Sequence, residues 1–140
     1  MRNSLLISIK PEYAKRIWDG TKTIEFRRVA PQWFVGRYYV YESGTGEITG
    51  FFDVLRANFD YWKDHKTYYG IAHDRLMSYS RGHKIWGLHI INARKLLRPV
   101  KMKFVLDGRP PQNFRYLDEL SERVLSEQLS FDATMKEAAK

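Results

Sequence analysis

The sequence predicts an α+β domain in which short strands outnumber helices. Three observations carry that prediction. Short apolar and aromatic segments, bounded by Gly or Pro, recur along the chain with the two-residue alternation of strands. Helical spacing is clearest near the two ends, after Pro11 and again from Leu117. A length of 140 residues with 44% apolar and 15% aromatic content is enough for one core and matches a single domain.

Residues 5–9, Leu-Leu-Ile-Ser-Ile, form an apolar run closed by Pro11 and read as a buried strand. A helix follows at once. Pro11 suits its first position, Glu12 lies near its positive end, and Gly20 stands just past its last residue. Tyr13, Ile17 and Trp18 give it one apolar stripe. Gly20 then turns the chain into a strand over residues 21–28. Alternation places Thr23, Glu25 and Arg27 on one face and Ile24 and Phe26 on the other, with Lys22 at the strand's mouth. Residues 30–36 read as a loop whose Trp33 and Phe34 cap the core or offer a stacking surface.

Residues 37–43 are the next strand, rich in tyrosine. Gly44-Thr45-Gly46 turns it into residues 47–55, making a hairpin. Strict alternation groups Ile48, Gly50, Phe52 and Val54 on one face, and Gly50 marks a bulge or a barrel corner. Between residues 58 and 82, short helical turns are expected over 60–66 and 71–79. Residues 84–93 carry the strongest strand signal. Trp86, Leu88 and Ile90 share one face, Ile85, Gly87, His89 and Ile91 the other, so both faces are expected to be covered. A separate strand is expected after Pro99, within residues 100–105. Residues 108–116 form a loop stiffened by Pro110 and Pro111. Leu117, Leu120, Val124 and Leu125 then define an amphipathic, acidic helix whose last residues fray. The organisation expected is a body over residues 1–116, with residues 117–140 packed on it or extending from it.

Composition narrows the chemistry. The absence of cysteine excludes disulfides, thiolate metal sites and a cysteine nucleophile. His65, His73 and His83 lack paired metal-ligand spacing, and no metal or other cofactor is expected. No apolar run is long enough for a membrane span, and a cytoplasmic protein is expected. The net charge of +8 is uneven: residues 117–140 hold six acids and three bases, leaving +11 on residues 1–116. A basic body with interleaved aromatics favours nucleic acid as partner.

The motif strand, read as Gly20, Lys22, Glu25 and Arg27, has the spacing GxKxxExR. Ser8-Ile9-Lys10-Pro11 precedes it, and Tyr39-Val40-Tyr41 with Ser43 follows. Tyr69-Gly70-Ile71, Tyr79 before Gly82, and Pro110-Pro111-Gln112-Asn113-Phe114-Arg115-Tyr116 complete the series. In this order the segments resemble the ASCH family of the PUA-like superfamily, over about residues 4–116. The resemblance implies a small mixed β-barrel with short flanking helices, a C-terminal helix and a cleft beside the motif strand. It also implies RNA binding, with a role in RNA metabolism or transcription regulation. Some relatives are enzymes. One group deacetylates N4-acetylcytidine with a motif lysine, a threonine three residues later and a distant glutamate. Here the lysine is Lys22, but Glu25 holds the threonine's place. Another group has been described as a metal-dependent ribonuclease.

The candidate ligand-binding set is Lys10, Lys22, Glu25, Arg27, Tyr41, Ser43, Gln112 and Tyr116. Lys22 or Arg27 would hold a phosphate, Glu25 would accept from an exocyclic amine, and Tyr41, Trp33 or Tyr116 would stack on a base. A carboxylate among cations suits recognition better than hydrolysis. The leading expectation is a single-stranded RNA- or nucleotide-binding domain. The alternatives are a hydrolase on RNA or a modified nucleoside, using Lys22 and Glu25, and a coactivator-like module meeting a protein partner through residues 117–140.

Overall fold

The computed structural model describes residues 4–29, 31, 36–59, 67–68, 71–72 and 85–138. Strand β1 (Ser4–Ile9) leads into helix α1 (Pro11–Trp18) and strand β2 (Ile24–Arg27). Strands β3 (Arg37–Glu42) and β4 (Glu47–Phe59) form the hairpin, and β5 (Thr67–Tyr68) pairs with β6 (Ile71–Ala72). A long strand β7 (Trp86–Lys101), a 3-10 turn (Met102–Phe104), strand β8 (Phe114–Tyr116) and helix α2 (Glu119–Ala138) complete the order.

Six strands make one sheet in the order β2-β7-β4-β3-β1-β8. β1 runs parallel to β3, and every other pairing in it is antiparallel. The sheet curls into a half-barrel, the α+β architecture expected. Alternation along β1 and β3 sends side chains to two apolar clusters. Leu5, Ile7 and Ile9 meet Tyr38, Val40, Phe52, Val54 and Leu88 on the face covered by Ala14 and Ile17 of α1. Leu6, Tyr39 and Tyr41 meet Phe51, Leu96 and Val100 on the face covered by Leu125 of α2. The tyrosine-rich β3 is therefore apolar on both sides because both of its sides are core.

Bulges shape the curl. The β3–β4 register passes from Val40 opposite Gly50 to Tyr41 opposite Ile48, leaving Thr49 as the extra residue. Beyond this bulge the alternation inverts, so Ile48 joins Tyr41 and Phe51 in the second cluster rather than Phe52 and Val54 in the first. At Gly50 a Cβ would stand 2.5 Å from both the Arg94 carbonyl oxygen and the Trp18 ring. Glycine is what lets α1 close on the sheet there.

Four sequence expectations are corrected. β7 runs unbroken through Pro99 to Lys101, where two strands were expected. Pro99 lies between the pairs Gly50–Lys95 and Ile48–Val100, in a stretch with no ladder partner, so its missing N–H costs nothing. Asn92, at φ 53°, supplies a second irregularity where the register shifts again. Ile71 and Ala72 are paired strand rather than helix, in keeping with the β-branched and aromatic residues of this short ladder. Leu120 is 68% exposed, because Ser121 and Leu125 are the residues that α2 turns inward. On β7, Ile91 is exposed and only part of that face is covered. Trp33, Phe34, His65, His73, His83, Tyr79 and the expected turn over 60–66 lie outside the described residues.

Candidate functional site

The loop between α1 and β2 is held before the motif begins. Gly20 takes φ +83°, Asp19 accepts from the Thr21 N–H and hydroxyl, and the Lys22 N–H donates to Arg16 O at 2.9 Å. These hydrogen bonds from Thr21 keep the Asp19 carboxyl below its ordinary range. β2 then pairs with β7, Glu25 opposite Leu88 and Arg27 opposite Trp86. Leu88 belongs to the first cluster, so the polar face of β2 looks to that side of the sheet.

Lys22, Glu25 and Arg27 converge there. The Lys22 ammonium donates to Ile24 O at 2.7 Å and lies 3.2 Å from Glu25 Oε1. It also sits 5.7 Å from the Tyr13 ring centre and 5.8 Å from that of Phe26. Glu25 Oε2 accepts from Arg27 Nε at 2.8 Å and lies 2.7 Å from Nη2. Arg27 Nη1 donates to Asn113 Oδ1 and Nη2 to Ser8 O, both at 2.6 Å. The Asn113 carbonyl in turn accepts the Ser8 N–H at 3.0 Å, and the Ser8 hydroxyl donates to Pro111 O. β2 is one edge of the sheet, while β1 and the loop before β8 are at the other. Arg27 therefore joins the two edges at a seam. Its planar fork fits this task, meeting a carboxylate and two carbonyl-type oxygens at fixed angles.

Lys22 is only 3% exposed and Glu25 7%. The ammonium expected at the strand's mouth is turned inward, so its charge is spent on Glu25. Lys10 is exposed just before α1, where its carbonyl accepts from the N–H groups of Tyr13 and Ala14. Gln112 is exposed beside Asn113, and Tyr116 lies half-buried on the first cluster, opposite Leu5. Tyr41 faces the other way: it is buried in the second cluster, its hydroxyl accepting from the Gly46 N–H at 3.3 Å. Ser43 donates its N–H to Ile9 O at 2.9 Å in the turn after β3. Ser8 and Asn113 are members of the network that the candidate set omits. Both lie within the motif segments Ser8-Ile9-Lys10-Pro11 and 110–116, but nothing in their spacing links them to Arg27, 19 and 86 residues away.

The curled mixed sheet with its two helices is a PUA-like α+β fold, and solved structures share it. The crystal structure of ASCH from Zymomonas mobilis superposes with a TM-score of 0.77 at 23% identity, covering 91% of this chain and 96% of that one. A single-residue variant of it gives 0.76 at 24% identity, covering 90% and 96%. A hypothetical protein from Leishmania major gives 0.54 at 12% identity, covering 97% and 98%. The sequence profile of the ASCH domain matches residues 7–101, and the chain belongs to that family. No curated protein matches it. Among the described residues, no helix is long and apolar enough to cross a membrane.

Proposed function

We propose that this chain is a nucleic-acid-binding domain that takes single-stranded RNA or a nucleotide beside Lys22, Glu25 and Arg27. The observation that carries the reading is the fixed array at the seam. Four of the five N–H groups of Arg27 are engaged, by Glu25 twice and by Asn113 and Ser8. Glu25 Oε2 accepts from Arg27, and Oε1 lies 3.2 Å from the Lys22 ammonium, so both oxygens are held by cations. A carboxylate acceptor and a guanidinium donor held in one array complement a base edge that offers an N–H next to a carbonyl or ring nitrogen. Tyr116 supplies a ring for stacking, Gln112 an amide at the rim, and Lys10 an ammonium for a phosphate. Membership of the ASCH family supports RNA as the ligand class, with a role in RNA metabolism or transcription regulation.

The same geometry argues against hydrolysis as the main task. A carboxylate with both oxygens accepting from cations serves as a fixed acceptor rather than as a base or nucleophile. The test is one experiment with two readouts. End-labelled single-stranded RNA is incubated with the protein, with and without magnesium or manganese, and run on native and denaturing gels. A retarded, intact band is expected, and Gln112→Ala, an exposed change that leaves folding unaffected, should weaken it several-fold. No retardation, or RNA shortened in a Glu25-dependent way, would overturn the reading.

A further inference from the structure

Glu25 offsets one of the two buried motif charges within the fold, yet residues 1–116 carry +11. Much of that surplus is concentrated in one place. No acid occurs between Asp74 and Asp107, and Arg94, Lys95, Arg98, Lys101 and Lys103 follow one another along the second half of β7 and the turn after it. All five are exposed. Buried Leu96, Val100 and Met102, alternating with them, pin the stretch to the second cluster. None of the five forms an ion pair with a described residue. Arg98 lies 5.1 Å over the Phe131 ring of α2, and Lys103 lies 5.1 Å over that of Phe104.

Among the described residues, few acids approach this arm. Glu47 is opposite Lys101 across the β4–β7 ladder, and Glu42 and Asp19 share with Lys95 a recess of about 550 Å³ floored by Trp18. The Asp132 carboxylate is turned onto the Leu97 N–H at 2.9 Å and the Gln128 amide at 2.7 Å. Phe104, 62% exposed, and Leu97, 53% exposed, stand among the cations.

We propose that residues 94–104 form a second RNA-binding surface, distinct from the seam, on which the backbone of a single strand lies along the exposed cations of this stretch and a base stacks on Phe104. Point charges interleaved with exposed rings are what a single strand requires, since phosphates repeat along it and every base has a π-face. The strand part of this stretch, residues 94–101, extends at most about 26 Å, long enough to track several phosphates. A single exposed leucine and phenylalanine offer little area for insertion into a membrane, which is the other anionic partner that a cationic face attracts. This inference rests on the RNA-binding reading above, and it separates the two contributions. The seam selects a base, and the arm supplies the salt-dependent part of the affinity.

The experiment is a titration of a fluorescein-labelled 15-nucleotide single-stranded RNA, followed by anisotropy between 50 and 300 mM KCl. The variants are Lys95→Gln/Lys101→Gln/Lys103→Gln, the same three sites changed to Arg, Phe104→Ala, and Gln112→Ala. For single strands the slope of log K against log salt is about −0.7 per neutralised phosphate, so the triple Gln variant should flatten it by about 2, and the Arg variant should restore it. Phe104→Ala should weaken binding roughly 5- to 150-fold with little change of slope. If Gln112→Ala weakens binding while the triple Gln variant keeps the parent slope and affinity, the arm is refuted and the seam stands. If the parent protein binds no RNA, the underlying reading falls and takes this one with it. If the triple Gln variant instead loses only capture by phosphatidylserine vesicles, the arm serves a membrane surface and the proposal is wrong.

Discussion

Glu25 holds together a site whose two cations have no other carboxylate among the described residues. Replacing it with Gln keeps the shape but leaves Lys22 and Arg27 buried against a neutral amide, and removing one partner of a buried pair costs about 3–5 kcal/mol. Lys22→Met is a different case. Glu25 keeps Arg27, and a thioether can lie between the Tyr13 and Phe26 rings where the ammonium was. Its cost should be about 1–2 kcal/mol, close to one lost charge-assisted hydrogen bond. Urea unfolding of both variants checks the order, and an equal loss would mean that Lys22, not Glu25, is the anchor. The individual residues of this array were legible in the sequence, because the spacing GxKxxExR puts Glu25 and Arg27 on one face of a strand. What the spacing does not encode is which way that face looks. It depends on pairing with Leu88, more than sixty residues on, and on Ser8 and Asn113 reaching the seam from the opposite edge.

Among the elements, α2 shows how hydropathy spacing identifies a helix and misjudges its rotation. Leu120 fits the apolar stripe, yet the helix turns Ser121 and Asp132 inward because the backbone N–H groups of Leu106 and Leu97 need acceptors there. β7 was misread for a similar reason. Pro99 is a strand breaker only where the ladder needs its N–H, and the bulge removes that need. The start of α2 carries its own prediction. Asp118 caps the helix, its Oδ1 accepting the Ser121 N–H at 2.7 Å. Hydrogen bonds from Ser121, side chain and backbone, hold the Asp118 carboxyl below its ordinary value. A lowered folded-state value means that the unfolded chain binds the proton first, so the cap's contribution is full above about pH 4 and is lost as pH falls through the folded value. Asp118→Ala should therefore cost about 1 kcal/mol at pH 7, and the gap from the parent protein should close on acidification toward pH 2. Urea midpoints at pH 7, 5 and 3 test it; a gap unchanged at pH 3 would show that the lost stability comes from something other than the charged cap.

At the scale of the whole molecule, the two-sided core decides what can be removed. An adaptor role for residues 117–140 carries the expectation that deleting them abolishes partner capture and leaves RNA affinity unchanged or raised. The packing argues otherwise about the deletion itself. Leu117 and Leu125 are buried in the second cluster with Leu96, Val100 and Met102, and Val124 and Leu129 pack against it. Ser4 donates to Glu122 at 2.6 Å, tying the helix to the first strand as well. Burying one such leucine contributes about 1.5–3 kcal/mol. Loss of the segment should therefore cost on the order of 5 kcal/mol, comparable to the whole stability of many domains of this size. Cluster 2 also anchors the cationic arm through Leu96, Val100 and Met102, so a truncated chain should lose its RNA affinity along with its fold. Circular dichroism melts of the truncated and full chains, followed by RNA titration at a temperature between the two midpoints, test this directly. A cooperative melt within a few degrees of the full chain would mean that the helix is a docked appendage, and the adaptor reading would regain its footing.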